Sequence, residues 1–143
     1  MNDGLLLAIK PRFADAILSG EKTVELRRVR PQVEPGAKVV LYASSPVKAV
    51  VGTFTVDRVV EASPRALWPQ VRGLAAVTRR EFYDYFDGAS TAVAIFLKAP
   101  ASAKRHLSLE QMRRASPAFS PPQGYQYLAG LCKRVQSLLI STL

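Results

Sequence analysis

The chain has 143 residues, 48% of them hydrophobic, and 20 Lys and Arg against 11 Asp and Glu, for a net charge of +9. That length and balance describe one globular domain rather than a disordered or fibrous chain. The charge favours a polyanionic partner, of which nucleic acid is the commonest inside cells. One cysteine, Cys132, excludes an internal disulfide and suits a reducing compartment, so a cytoplasmic setting is expected. With a single histidine, His106, besides, no zinc site of the usual His/Cys type can be assembled, and neither metal nor cofactor is expected. The five apolar residues after Met1-Asn2-Asp3-Gly4 are too short for a secretory leader, and no run approaches the roughly 20 residues of a membrane span.

Leu5 to Ile9 reads as a first strand, and Pro11 suits the first turn of a helix striped by Phe13, Ala14, Ile17 and Leu18. Gly20 stops that helix. The run Gly20-Glu21-Lys22-Thr23-Val24-Glu25-Leu26-Arg27-Arg28 follows as a charged strand. Val24 and Leu26 supply an apolar face, and Thr23, Glu25 and Arg27 the opposite one. Such a pattern is either a solvated salt-bridge ladder or the floor of an anion-binding cleft.

After the turn at Pro35-Gly36, Lys38 to Ala43 is apolar at nearly every position, as a strand covered on both faces would be. Ser44-Ser45-Pro46 is a turn, and Lys48 to Val60 a long strand bent at Gly52. A helix opens at Ser63-Pro64, and another at Thr78 with Glu81 as a capping box, Phe82 and Phe86 facing the core. Thr91 to Leu97 is a strand that Ala103 to Leu107 extends or pairs with. Ser108 and Gln111 cap a further helix, and Ser116 to Pro122 is a loop. From Ala129 onward, Leu131, Cys132, Val135, Leu138 and Leu139 recur at helical spacing. Strands of mixed length joined partly by turns predict an α+β fold, a small curved sheet or barrel with helices packed outside.

Several of these segments resemble the ASCH domain of the PUA-like superfamily. The likeness is carried by Ile9-Lys10-Pro11, by Gly20-x-Lys22-x-x-Glu25-x-Arg27, and by Tyr42-Ala43-Ser44-Ser45-Pro46-Val47-Lys48-Ala49 with Gly52 beyond. Pro121-Pro122-Gln123-Gly124-Tyr125-Gln126-Tyr127-Leu128 resembles the closing segment of a bacterial and archaeal branch. The resemblance implies a mixed pseudo-barrel over residues 1–128; residues 129–143 lie outside it, and their apolar stripe predicts an amphipathic helix docked on the domain. It implies a cleft lined by the Lys-Glu-Arg segment that takes RNA or a modified nucleoside. Some branches are similar to hydrolases of acetylcytidine or RNA. Their deacetylating branch has a threonine three residues after the lysine, where this chain has Glu25, and Thr23 has the wrong strand parity to replace it.

The expected ligand-binding residues are therefore Lys10, Lys22, Glu25, Arg27, Arg28, Ser44, Ser45, Gln123 and Tyr125, with Lys22 and Glu25 as the acid–base pair if the protein is an enzyme. Arg27 offers a planar fork for phosphate or carboxylate, and Glu25 can orient a cation or accept from a base amine. Gln123 and Tyr125 can pair with and stack on a base. A nucleic-acid-binding module is the first reading, a hydrolase using Lys22 the second, and a protein-interaction adaptor the third. A monomer is expected, a dimer seam on the tail helix being the alternative.

Overall fold

The computed structural model describes residues 3–143. Its strands are β1 (Leu5–Ile9), β2 (Val24–Arg27), β3 (Lys38–Ala43), β4 (Ala49–Ala62), β5 (Ala92–Ser108) and β6 (Tyr125–Tyr127). Its α-helices are α1 (Pro11–Ser19), α2 (Pro64–Val71), α3 (Arg79–Tyr85), α4 (Leu109–Ala115) and α5 (Lys133–Thr142). The strands form one sheet in the order β2-β5-β4-β3-β1-β6. Only β1 and β3 run parallel, which requires a crossover, and α1 and β2 lie in it.

The sheet is curled into a half-barrel. Its bend comes from β4 and β5, 14 and 17 residues long, whose register shifts at Val50/Gly52, Thr53/Thr55 and Val56/Arg58. Bulges of this kind tighten the local twist and turn a flat ribbon into a curved wall. At Gly52 a side chain is sterically impossible, because a Cβ there would lie 2.5 Å from the Ala101 carbonyl oxygen and 2.7 Å from Leu18. The backbone of β5 and helix α1 can both press against β4 only over a glycine.

Helices cover both faces of the sheet. Leu5, Leu7, Val39, Leu41, Phe54 and Ile95 pack with Ala14 and Ile17 of α1. The alternate residues Leu6, Val40, Tyr42 and Val50 pack with Met112 of α4 and with Val135 and Leu139 of α5. This explains the unbroken apolar run at Lys38–Ala43, since its odd and even positions feed different cores. A third cluster joins Val24 and Leu26 to Leu67, Val71, Phe82 and Phe86.

The helix starts follow local chemistry. Ser63 accepts from the Ala66 amide at 3.2 Å, and complete capping boxes stand at Thr78–Glu81 and Ser108–Gln111. Gly20, at φ 87°, closes α1 in the left-handed conformation that glycine adopts freely. The tail differs from a helix beginning at Ala129: Leu128–Gly130 is a single 3₁₀ turn, and α5 starts only after Cys132. Gln136 holds this break by donating to the Leu128 and Leu131 carbonyls at 2.8 and 3.0 Å.

Leu139 is fully buried, whereas its neighbour Ile140 is 64% exposed. Leu139→Ala is expected to cost about 2–5 kcal/mol of stability in urea denaturation. Ile140→Ala is expected to stay within about 0.5 kcal/mol of wild type. Equal effects at the two positions would contradict this packing of α5.

Candidate functional site

After Gly20 the chain folds back over α1, with the Lys22 amide donating to the Ala16 carbonyl at 2.9 Å and the Thr23 amide to Leu74 at 2.8 Å. That return drives the Lys22 side chain inward, where only 1% of the residue is exposed. Glu25, on the face of β2 opposite Val24 and Leu26, is 5% exposed and 3.4 Å from Lys22 Nζ. Lys22 Nζ also donates to the Ala75 carbonyl at 2.6 Å and sits 4.8 Å from the centre of the Phe13 ring. The charged segment is therefore an ion triad with a buried Lys22–Glu25 pair and a partly buried third member, not a solvated ladder.

Arg27 is the third member. Its Nε and Nη2 donate to Glu25 Oε2 at 3.0 and 2.7 Å, and Nη2 also donates to the Ala8 carbonyl at 2.9 Å. β2 and β1 are far apart in the strand order, so this contact crosses the open side of the half-barrel. Burial pushes the Lys22 ammonium below the usual lysine range, and Glu25 opposes that shift.

A cavity of about 530 Å³ opens above the triad, lined by Lys22, Glu25, Arg27, Phe13, Phe82 and Tyr85 among others. Its volume is that of a small-molecule site. Arg12 of α1 and Glu81 of α3, both among its lining residues, form an ion pair at 2.6 Å. A hydrogen bond from Arg12, helped by the Thr78 backbone amide, holds the Glu81 carboxyl at about 2.

A second cavity of about 470 Å³ lies on the other side of the β1 terminus and is lined by Tyr42, Ser44, Ser45, Lys48 and Gln123. The Ser44 amide donates to the Ile9 carbonyl at 2.9 Å, which fixes the 44–48 turn against β1. Lys48 turns there with φ 51°. Burial raises the Tyr42 hydroxyl above its usual range, against the charge of Arg113.

Of the residues expected from sequence, Lys10, Lys22, Glu25 and Arg27 line the first cavity, and Lys10, Ser44, Ser45 and Gln123 the second. Arg28 and Tyr125 line neither. Arg28 instead donates to the Tyr85 and Asp87 carbonyls at 2.7 and 3.1 Å. Tyr125 packs on the core and against the Tyr127 ring, 5.8 Å away. Reasoning from sequence missed Phe13, Tyr85, Arg12 and Glu81 in the first cavity, and Tyr42 and Lys48 in the second. Only the last two had a signal, since they bracket the two serines. Among the described residues no group of three or more His, Cys, Asp and Glu is placed to hold a metal, and no helix is long and apolar enough to cross a membrane.

The chain matches the ASCH domain over residues 7–100. It belongs to the ASCH domain family. An "ASCH domain-containing ribonuclease" of Zymomonas mobilis is 34% identical over 123 residues, 86% of this chain and 82% of the relative. The crystal structure of ASCH from Zymomonas mobilis superposes with a TM-score of 0.88 at 31% identity, covering 99% of this chain and 96% of that one. Human THYN1, solved in complex with DNA containing 5-methylcytosine, has a TM-score of 0.56 at 11% identity over 96% of this chain and 95% of its own, and so shares the fold. The ASCH fold in this chain is thus the mixed α+β half-barrel, closed at its open side by Arg27.

Two outcomes check the triad. Glu25→Gln strands the buried Lys22 charge, and is expected to cost about 3–5 kcal/mol in chemical denaturation. Lys22→Met leaves Glu25 paired with Arg27 and is expected to cost less; the reverse order would contradict the geometry. At Glu81 the folded pKa lies below the unfolded 4.5. The stability from its pairing with Arg12 is present above pH 4.5 and lost as pH falls from 4.5 to about 2. Glu81→Gln is expected to melt below wild type above pH 4.5, where the pairing stabilises the wild type, and to converge on it as pH falls toward about 2.

Proposed function

We propose that this ASCH domain binds single-stranded RNA, holding one base or nucleoside in the first cavity above Lys22, Glu25 and Arg27. The single observation that carries the reading is a pre-paired, largely buried cation–carboxylate–guanidinium triad at the floor of a nucleotide-sized, aromatic-walled cavity. Phe13 and Tyr85 line the cavity; the Phe13 ring already carries Arg12 and Lys22 at 4.3 and 4.8 Å, which leaves Tyr85 as the aromatic wall for a base, and stacking tolerates many sequences. Arg27, the most exposed member of the triad, has its second terminal nitrogen free of the bonds to Glu25 and Ala8 to meet the base's polar edge. The net charge of +9 supplies general attraction for the phosphates around the mouth.

Fluorescence anisotropy with labelled single-stranded RNA tests this. Log affinity is expected to fall linearly with log salt, because neutralised phosphates release counterions. Tyr85→Ala, which removes the exposed aromatic wall, is expected to weaken binding by about 1–3 kcal/mol. Absence of binding to a broad RNA and DNA panel at low salt would refute the reading.

A second reading is RNA cleavage, favoured by the ribonuclease name of the 34% identical relative and by the lowered proton affinity of Lys22 beside a carboxylate. An amine whose proton affinity is lowered gives up its proton more readily, and general acid–base work contributes about 10²–10⁴-fold. Glu25 supplies the adjacent carboxylate. Incubation of labelled RNA and the matching 2′-deoxy strand decides it. Cleavage confined to RNA and lost in Lys22→Met would establish the activity, and equal background in both proteins would dismiss it.

A further inference from the structure

The two cavities share a wall, the residues Ala8, Ile9 and Lys10 at the end of β1. We infer that they form one bipartite site for two consecutive nucleotides of a single strand, with the linking phosphate held at Lys10. This rests on the RNA-binding reading above and adds to it a ligand length and a register.

The partition has the right thickness and is held from both sides. It is the end of one strand, a width of about 5 Å, which one phosphodiester linkage can bridge. The Ala8 carbonyl accepts from Arg27 at 2.9 Å, and the Ala8 amide donates to the Gly124 carbonyl at 2.8 Å. The Ile9 carbonyl accepts from Ser44. The partition is therefore tied to the floor of the first cavity by Arg27 and to the rim of the second by Ser44 and Gly124.

The charges are divided in the same way. Arg12, Lys22 and Arg27 are each committed to a carboxylate. Lys10 is exposed at the head of α1, and among the described residues no carboxylate pairs with it. It is the cation of the shared wall left for an incoming anion. The compartments differ in chemistry as well. The first has an aromatic wall suited to a base. The second offers Ser44 and Ser45 hydroxyls, the Lys48 ammonium and the Gln123 amide, donors suited to a sugar–phosphate and a second base edge.

The test is competition against a labelled single-stranded RNA at low salt, using ribonucleosides and the dinucleoside monophosphates made from them. Wild type, Lys10→Gln and Gln123→Ala are compared; both side chains are exposed, so neither change disturbs the core. The best dinucleoside monophosphate is expected to compete at least about tenfold better than the best nucleoside. Lys10→Gln and Gln123→Ala should each shrink the ratio of dinucleotide to nucleoside competition toward one. Nucleosides that compete as well as dinucleotides would overturn the bipartite site and leave the single-cavity reading standing. RNA binding that neither probe displaces would also overturn it. Failure of the labelled RNA to bind at all would remove both.

Discussion

The structure turns on the contact that Arg27 makes across the open side of the half-barrel. One guanidinium clamps Glu25 and reaches the Ala8 carbonyl, joining two strands that no backbone ladder connects. A backbone seam between the edge strands β2 and β6 would have closed the barrel and filled that space with paired amides. A side-chain seam leaves room above it, and that room is the first cavity. The same charges close the fold and form the cavity floor.

Burying three charges is costly, and the arrangement shows how the cost is met. Lys22 loses water but gains Glu25, the Ala75 carbonyl and the Phe13 ring; Glu25 receives cations on both oxygens. Among the described residues no buried side-chain polar atom lacks a partner. A buried pair of this kind is weak evidence for net stability, because desolvation offsets much of the attraction. Its consequence is specificity of geometry: β1, β2 and the 74–75 segment are each held at a defined separation by a charged group. On the proposed RNA-binding reading, such a fixed floor would lower the reorganisation that binding requires.

Much of the fold was legible in the sequence where local chemistry decides it. Pro11 and Gly20 bracket α1, the two capping boxes start α3 and α4, and Gly52 falls where β4 must bend. The Lys22, Glu25 and Arg27 cluster was also visible, because three charges in six residues at the entry and along one short strand are anomalous. What was not legible depended on distance along the chain. Nothing in the neighbourhood of Phe13 or Arg12 announces that α3 will bring Glu81 and Tyr85 to face them; Arg12 and Glu81 are 69 residues apart. Arg28, next to Arg27, instead donates to carbonyls at the C-terminal end of α3, and Tyr125, expected to stack on a base, packs partly buried against the core. The tail periodicity suggested one helix, whereas Gln136 caps a separate turn before it.

The central claim is that the Arg27-closed cavity is where the ligand sits, and a crystal structure of the protein with a bound short single-stranded RNA tests it most directly. The account predicts one nucleotide inside the first cavity, its base against Tyr85 and a polar atom within hydrogen-bond distance of Glu25, Lys22 or Arg27. An RNA seated elsewhere on the basic surface, for instance along the exposed Lys104-Arg105-His106 segment of β5, with the triad untouched, would contradict it.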